Sequence, residues 1–129
     1  MTRLCGELGY PTDADQVRLR MRHLLNRDDL CLLVAEVDRA VVGWIHVGHG
    51  EVLESEPWAE VEGLVVTESM RGQGVGRALM SAGERWARGR GMALVRLRSN
   101  VVRAQAHAFY RRCGYEVFKT QLNFRKRIE

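Results

Sequence analysis

Hydrophobic and polar positions change period several times along the 129-residue chain, and each change predicts an element. Val17, Met21, Leu24 and Leu25 recur at helical spacing behind Thr12, an N-cap type of residue. Asp13 and Asp15 fall in the first turn, where the helix dipole favours negative charge. The pattern predicts a helix over Thr12–Asn26, preceded by a shorter one over Met1–Gly9 that stops at Gly9-Tyr10-Pro11. Leu30–Val37 is an apolar run of strand length, Asp38-Arg39 a tight turn, and Ala40–Gly48 the hairpin partner. Gly48, Gly50 and Pro57 bracket a loop, and Trp58–Val66 reads as a third strand.

After Thr67–Met70 comes a glycine-rich turn, Arg71-Gly72-Gln73-Gly74-Val75-Gly76. A helix follows to about Arg90, with Val75, Leu79, Ala82 and Trp86 on one face and Gly91 at its left-handed stop. Ala93–Leu97 is a short buried strand, and Arg103–Arg112 a helix stopped by Gly114. Tyr115–Lys119 and Leu122–Ile128 close the chain as two strands. This order predicts an α/β fold, a mixed central sheet of about six strands flanked by four helices. There is no repeat, linker or low-complexity run, so residues 1–129 read as one domain. A chain of this length buries roughly two-thirds of its unfolded surface and needs no staples.

Composition narrows the function. The chain is 46% hydrophobic, which excludes a disordered segment, and its longest apolar runs fall far short of the roughly 20 residues that cross a bilayer. With no secretory pattern behind Met1, the expected location is the cytoplasm, away from membranes. Cys5, Cys31 and Cys113 lie far apart, and His23, His46, His49 and His107 are equally scattered, so no metal site is expected. The net charge is +4, and all but Lys119 and Lys126 of the twenty cations are arginine, whose fork suits phosphate and carboxylate. Arg85, Arg88, Arg90, Arg96 and Arg98 lack the aromatic interleaving of a nucleic-acid surface, and no nucleic-acid partner is expected.

The glycine-rich turn carries the chemistry. Where a strand passes through glycines into a helix, backbone N–H groups and the positive end of the helix dipole converge on an anion site. Gly76 is followed by Arg77 and Ala78, not the Lys-Ser/Thr of a Walker A loop, and Arg77 stands where a Rossmann fingerprint has its third glycine. What stands here is Arg71-x-x-Gly74-x-Gly76 behind Glu60-Val61-Glu62-Gly63-Leu64-Val65-Val66. With Ser99-Asn100, Ala106-His107-Ala108-Phe109-Tyr110 and Cys113-Gly114-Tyr115 following in order, the chain from Thr12 to Glu129 resembles the GCN5-related N-acetyltransferase (GNAT) superfamily.

That resemblance implies an enzyme transferring acetyl from acetyl-CoA to a primary amine by direct attack in a ternary complex. It implies that the backbone of Gly72, Gln73, Gly74, Val75, Gly76 and Arg77 cradles the pyrophosphate under Arg71. The edge of Leu64, Val65 and Val66 would then pair with the pantetheine arm, and Asn100 would hydrogen-bond it. Tyr110 matches the acid that protonates the leaving thiolate, a role a phenol suits because it holds its proton at neutral pH. Glu60 and Glu62, two apart on one strand, share a face, and either can serve the amine as base, with ordered water as the third option. Glu51, Glu54 and Glu56 extend this acidic stretch, which would attract a cationic amine. The superfamily has an additional strand before its first helix, and the expectation here is that this edge strand is missing. Its C-terminal hairpin, often a dimer surface, predicts a homodimer. The alternative is a non-catalytic acetyl-CoA-binding sensor or subunit.

Overall fold

The computed structural model describes residues 28–99 and 101–128. The chain forms two compact units, one ending at Arg98 and one beginning at Ser99. In the first, β1 (Cys31–Val37), β2 (Ala40–Gly50), β3 (Trp58–Val66) and β4 (Val95–Leu97) form one sheet in the order β1-β2-β3-β4. β1, β2 and β3 pair antiparallel, and β4 joins β3 in parallel after the crossover helix α1 (Val75–Gly89). The β1–β2 hairpin closes through Asp38 and Arg39, both left-handed at φ of 51° and 68°. A two-residue turn of that hand matches the strands' own twist.

β2 runs to Gly50, two residues beyond the expected stop, because its glycines make room for partners across the sheet. A Cβ on Gly50 would collide with the Trp58 indole, and one on Gly43 would lie 2.8 Å from the Val65 carbonyl oxygen. α1 packs closely on β2, since a Cβ on Gly83 would lie 3.1 Å from Val47 Cγ2 and 3.2 Å from Ile45 Cδ1. Ile45, Val47 and Ala59 are 0% exposed, and Met80 and Leu79 of α1 are buried as well. Each such aliphatic side chain contributes about 1.5–3 kcal/mol by leaving water.

The second unit is built on α2 (Ala104–Arg112), which ends where Gly114 turns left-handed at φ 94°. Tyr115–Lys119 and Leu122–Ile128 are not strands: the described chain beyond Gly114 joins no ladder. Val117, Phe118, Leu122, Phe124 and Ile128 are 63–93% exposed. Alternation prepares a segment for a half-buried face, yet a strand exists only where a neighbour completes its hydrogen bonds. Among the described residues four strands therefore stand where six were expected, together with the two α-helices expected there. The expected helices over Met1–Gly9 and Thr12–Asn26, and the missing edge strand before them, lie outside the described residues.

Candidate functional site

β3 and β4 part company halfway along. Their parallel register pairs Ala59 with Val95, Glu60 with Arg96 and Val61 with Leu97, and there β4 stops while β3 continues to Val66. Antiparallel hydrogen bonding to β2 determines which way the remaining peptide groups point. Thr67 N–H donates to Val42 O at 2.7 Å, so the next pair, Gly43 with Val66, exchanges none, Trp44 with Val65 does, and Ile45 with Leu64 does not. The peptide groups of Leu64 and Val66 therefore face away from β2, into the space β4 leaves. The Val65 side chain is 3% exposed, so this segment offers its backbone while part of it fills the core.

From Val66 the chain passes Thr67 and one 3-10 turn (Glu68–Met70) into the glycine loop. Gly72 and Gly74 are left-handed at φ 77° and 87°, and a Cβ on either would meet nothing within 4 Å. The space in front of both glycines is open, and their conformation, not crowding, requires glycine. Gly74 is the N-cap of α1, and the first helical bond runs from Ala78 N–H to Gly74 O at 3.0 Å. The N–H groups of Val75, Gly76 and Arg77 precede that ladder and stand at the positive end of the helix dipole. Arg71 Nε–H donates to Val66 O at 3.2 Å, and Gln73 Nε2–H donates to Ser69 O at 3.4 Å. Together these glycines, the N–H groups at the head of α1 and the Leu64 and Val66 peptide groups turned from β2 line one continuous stretch of backbone.

Beside the glycine loop, Leu33, Val34, Ala35, Gln73, Gly74 and Ala78 help line a mainly apolar cavity of about 520 Å³. None of its described lining residues is titratable. On β3, Glu60 accepts a hydrogen bond from Trp58 Nε1–H at 2.9 Å, whereas Glu62 is exposed beside Gly48. His49 Nε2 lies 3.4 Å from Glu51 Oε2 at the head of the acidic loop. In the second unit, Tyr110 sits on α2 with its ring edge-to-face on Phe109 at 5.3 Å and Tyr115 at 6.4 Å. Burial pushes its phenol above the ordinary 10.0, Arg103 pulls it down, and Cys113 adds to the rise. It is therefore a protonated phenol throughout the neutral range.

The structure brings Glu60, Glu62, Leu64, Val65, Val66, Arg71, Gly72, Gln73, Gly74, Val75, Gly76 and Arg77 onto one continuous strand–turn–helix path. Tyr110 belongs to the second unit, and Asn100 lies outside the described residues. Trp58 and Arg96 were missed. The signal was available in the i, i+2 spacing of Trp58 and Glu60, which puts an N–H donor beside a carboxylate on one strand face. Among the described residues, no group of three His, Cys, Asp or Glu side chains could hold a metal ion. No described helix is long and apolar enough to cross a membrane.

Comparison with known proteins adds relatives to this geometry. The acetyltransferase (GNAT) family matches residues 3–115. An aminoglycoside N(6')-acetyltransferase type 1 of Stenotrophomonas maltophilia is 32% identical over 124 residues, 93% of this chain and 81% of that protein. An aminoalkylphosphonate N-acetyltransferase of Salmonella typhimurium is 40% identical over 77 residues, 59% of this chain and 50% of the relative. Among solved structures, aminoglycoside N-acetyltransferase AAC(6')-Iy in complex with CoA has a TM-score of 0.88 at 22% identity, covering 98% of this chain and 86% of that one. At that identity the likeness shows the fold.

Proposed function

The chain belongs to the acetyltransferase (GNAT) family, and as an acetyl-CoA-dependent N-acetyltransferase we propose that it acetylates the primary amine of a small cationic acceptor by direct attack in a ternary complex. The carrying observation is the stretch of β3 that outruns β4, its Leu64 and Val66 peptide groups unpaired by β2 and leading straight into the left-handed glycines at the head of α1. On that path the pantetheine amides add to β3 as a short strand, and the pyrophosphate takes the N–H groups of the loop and first helical turn.

Deprotonation of the amine falls to a β3 carboxylate. The amine nitrogen then bonds to the thioester carbon, a β3 backbone N–H receives the developing oxyanion, and the carbon–sulfur bond breaks. Tyr110 gives its proton to the departing thiolate, a role its raised pKa supports. The acidic stretch from Glu51 to Glu62 supports a cationic acceptor, and the aminoglycoside and aminoalkylphosphonate enzymes make amines of those two kinds the first to screen. The apolar side chains exposed beyond Gly114 support a homodimer, which a monomeric mass in light scattering would exclude. Calorimetric titration with acetyl-CoA, followed by a thiol-release screen of those amines, tests the whole reading. Binding with acceptor-dependent thiol release is expected; binding without release from any amine would remove the transferase and leave a sensor.

A further inference from the structure

Glu60 and Glu62 share a strand face but not a setting. Trp58 Nε1–H donates to Glu60 Oε1 at 2.9 Å, which occupies one carboxylate oxygen and orients the other. The indole that donates is itself held. It is only 9% exposed, Gly50 lies opposite it in the β2–β3 register, and the Arg96 guanidinium lies 4.3 Å from its ring centroid. Gly50 is glycine for a reason, since any Cβ there would run into the ring. Arg96 is also the in-register partner of Glu60 across β3–β4. Three strands thus clamp one indole edge against one carboxylate, a contact whose donor cannot rotate away. Glu62, two residues on, is exposed on the same strand.

We propose that Trp58 is the positioning residue of Glu60, and that this contact makes Glu60, not Glu62, the carboxylate that serves the acceptor amine. The inference rests on the transferase reading above. Glu60 passes the first proton of the bound ammonium to solvent before attack, then takes the second N–H proton as the nitrogen–carbon bond forms and the carbon–sulfur bond breaks. The thiolate leaves with the Tyr110 proton, and the proton held on Glu60 returns through solvent to the Tyr110 phenolate, so the protein ends as it began.

Thiol-release kinetics of the full chain, with acetyl-CoA and the best amine from the screen, test it in wild type, Trp58→Phe, Glu60→Gln, Glu62→Gln and the two double variants with Trp58→Phe. Phenylalanine keeps an aromatic ring under Arg96 and deletes the N–H. Trp58→Phe is expected to lower kcat about tenfold, the loss of one hydrogen bond to a charged group, with the KM for acetyl-CoA unchanged. That loss is expected to vanish in the Glu60→Gln background and to persist in full with Glu62→Gln. An equal loss in the Glu60→Gln background, or one that falls on the acetyl-CoA KM, would mean that Trp58 only supports the sheet and would overturn the proposal. If Trp58→Phe does not fold, Gly50→Ala, which pushes the indole off Glu60, is judged by the same criteria. A folded wild type that binds acetyl-CoA yet releases no thiol with any amine overturns the transferase reading itself, and this inference with it.

Discussion

Replacing Gly74 by alanine separates the backbone's contribution to the proposed anion site from everything else the loop does. Gly74 has φ 87° and ψ 1°, and the alanine Cβ would meet no heavy atom within 4 Å, so no steric repacking accompanies the change. What remains is the cost of holding an L-residue left-handed, about 1–2 kcal/mol. Offsetting it is the reduced freedom of the unfolded chain, about 0.4–1 kcal/mol. The net loss is about 1 kcal/mol, which for a domain of this size lowers Tm by about 4 °C. Relief of the strain rotates the N–H groups at the head of α1 out of convergence, and affinity for acetyl-CoA falls at least tenfold, about 1.4 kcal/mol. Gly89 supplies the control. It is also open to a Cβ, but it closes α1 without a left-handed φ, so Gly89→Ala raises stability by about 0.5–1 kcal/mol and leaves affinity alone. Melting curves and calorimetric titrations of both variants are the assay. If Gly74→Ala binds acetyl-CoA like wild type while melting about 4 °C lower, the loop is a structural turn and the cradle lies elsewhere.

Four further outcomes follow from the same structure. Gly43→Ala places a Cβ 2.8 Å from the Val65 carbonyl and 3.1 Å from Leu79 Cδ1, and overpacking of this kind costs about 1–3 kcal/mol; an unchanged Tm would contradict the close approach of α1 and β3 around β2. Tyr110→Phe should lower kcat about 10²-fold or more at constant acetyl-CoA affinity, and wild-type turnover attributed to Tyr110 should not fade until the pH passes the phenol's ordinary 10.0. The same raised pKa makes stability whole below pH 10.0 and progressively lost as pH climbs through the folded value, because the unfolded phenol ionises first; urea titrations from pH 9 to 11 read the slope. Cys31 is 8% exposed and burial pushes its thiol up from 9.0, so iodoacetamide should spare it in the native protein at pH 7, and peptide mapping that found it alkylated at the rate of a free thiol would refute the core position of β1.

β3 was legible to the residue because Pro57 and the glycine loop punctuate it on both sides. β2 was read two residues short because glycine in a sequence signals a stop, whereas Gly50 is glycine to seat an indole that only the folded sheet brings opposite. The glycine turn was legible because left-handed glycines before a helix are a local signal, written within six consecutive residues. The Trp58–Glu60–Arg96 arrangement depends on the β3–β4 register, a pairing across a 15-residue helix that no local pattern encodes. The C-terminal strands fail for the converse reason: alternation is local, but the ladder partner is not.

The unequal lengths of β3 and β4 have a consequence for the protein's own survival. A strand edge with peptide groups facing outward invites pairing with any other extended chain. A donor that lays its amides along that edge caps it, and at one hundred times its Kd adds about 2.7 kcal/mol to folding stability. On the proposed binding mode, resistance of the protein to unfolding is then tied to the supply of its own co-substrate. If the donor lies along that edge, the amide hydrogens of Leu64 and Val66 will exchange more slowly with acetyl-CoA bound than without it, and equal exchange rates would refute this placement.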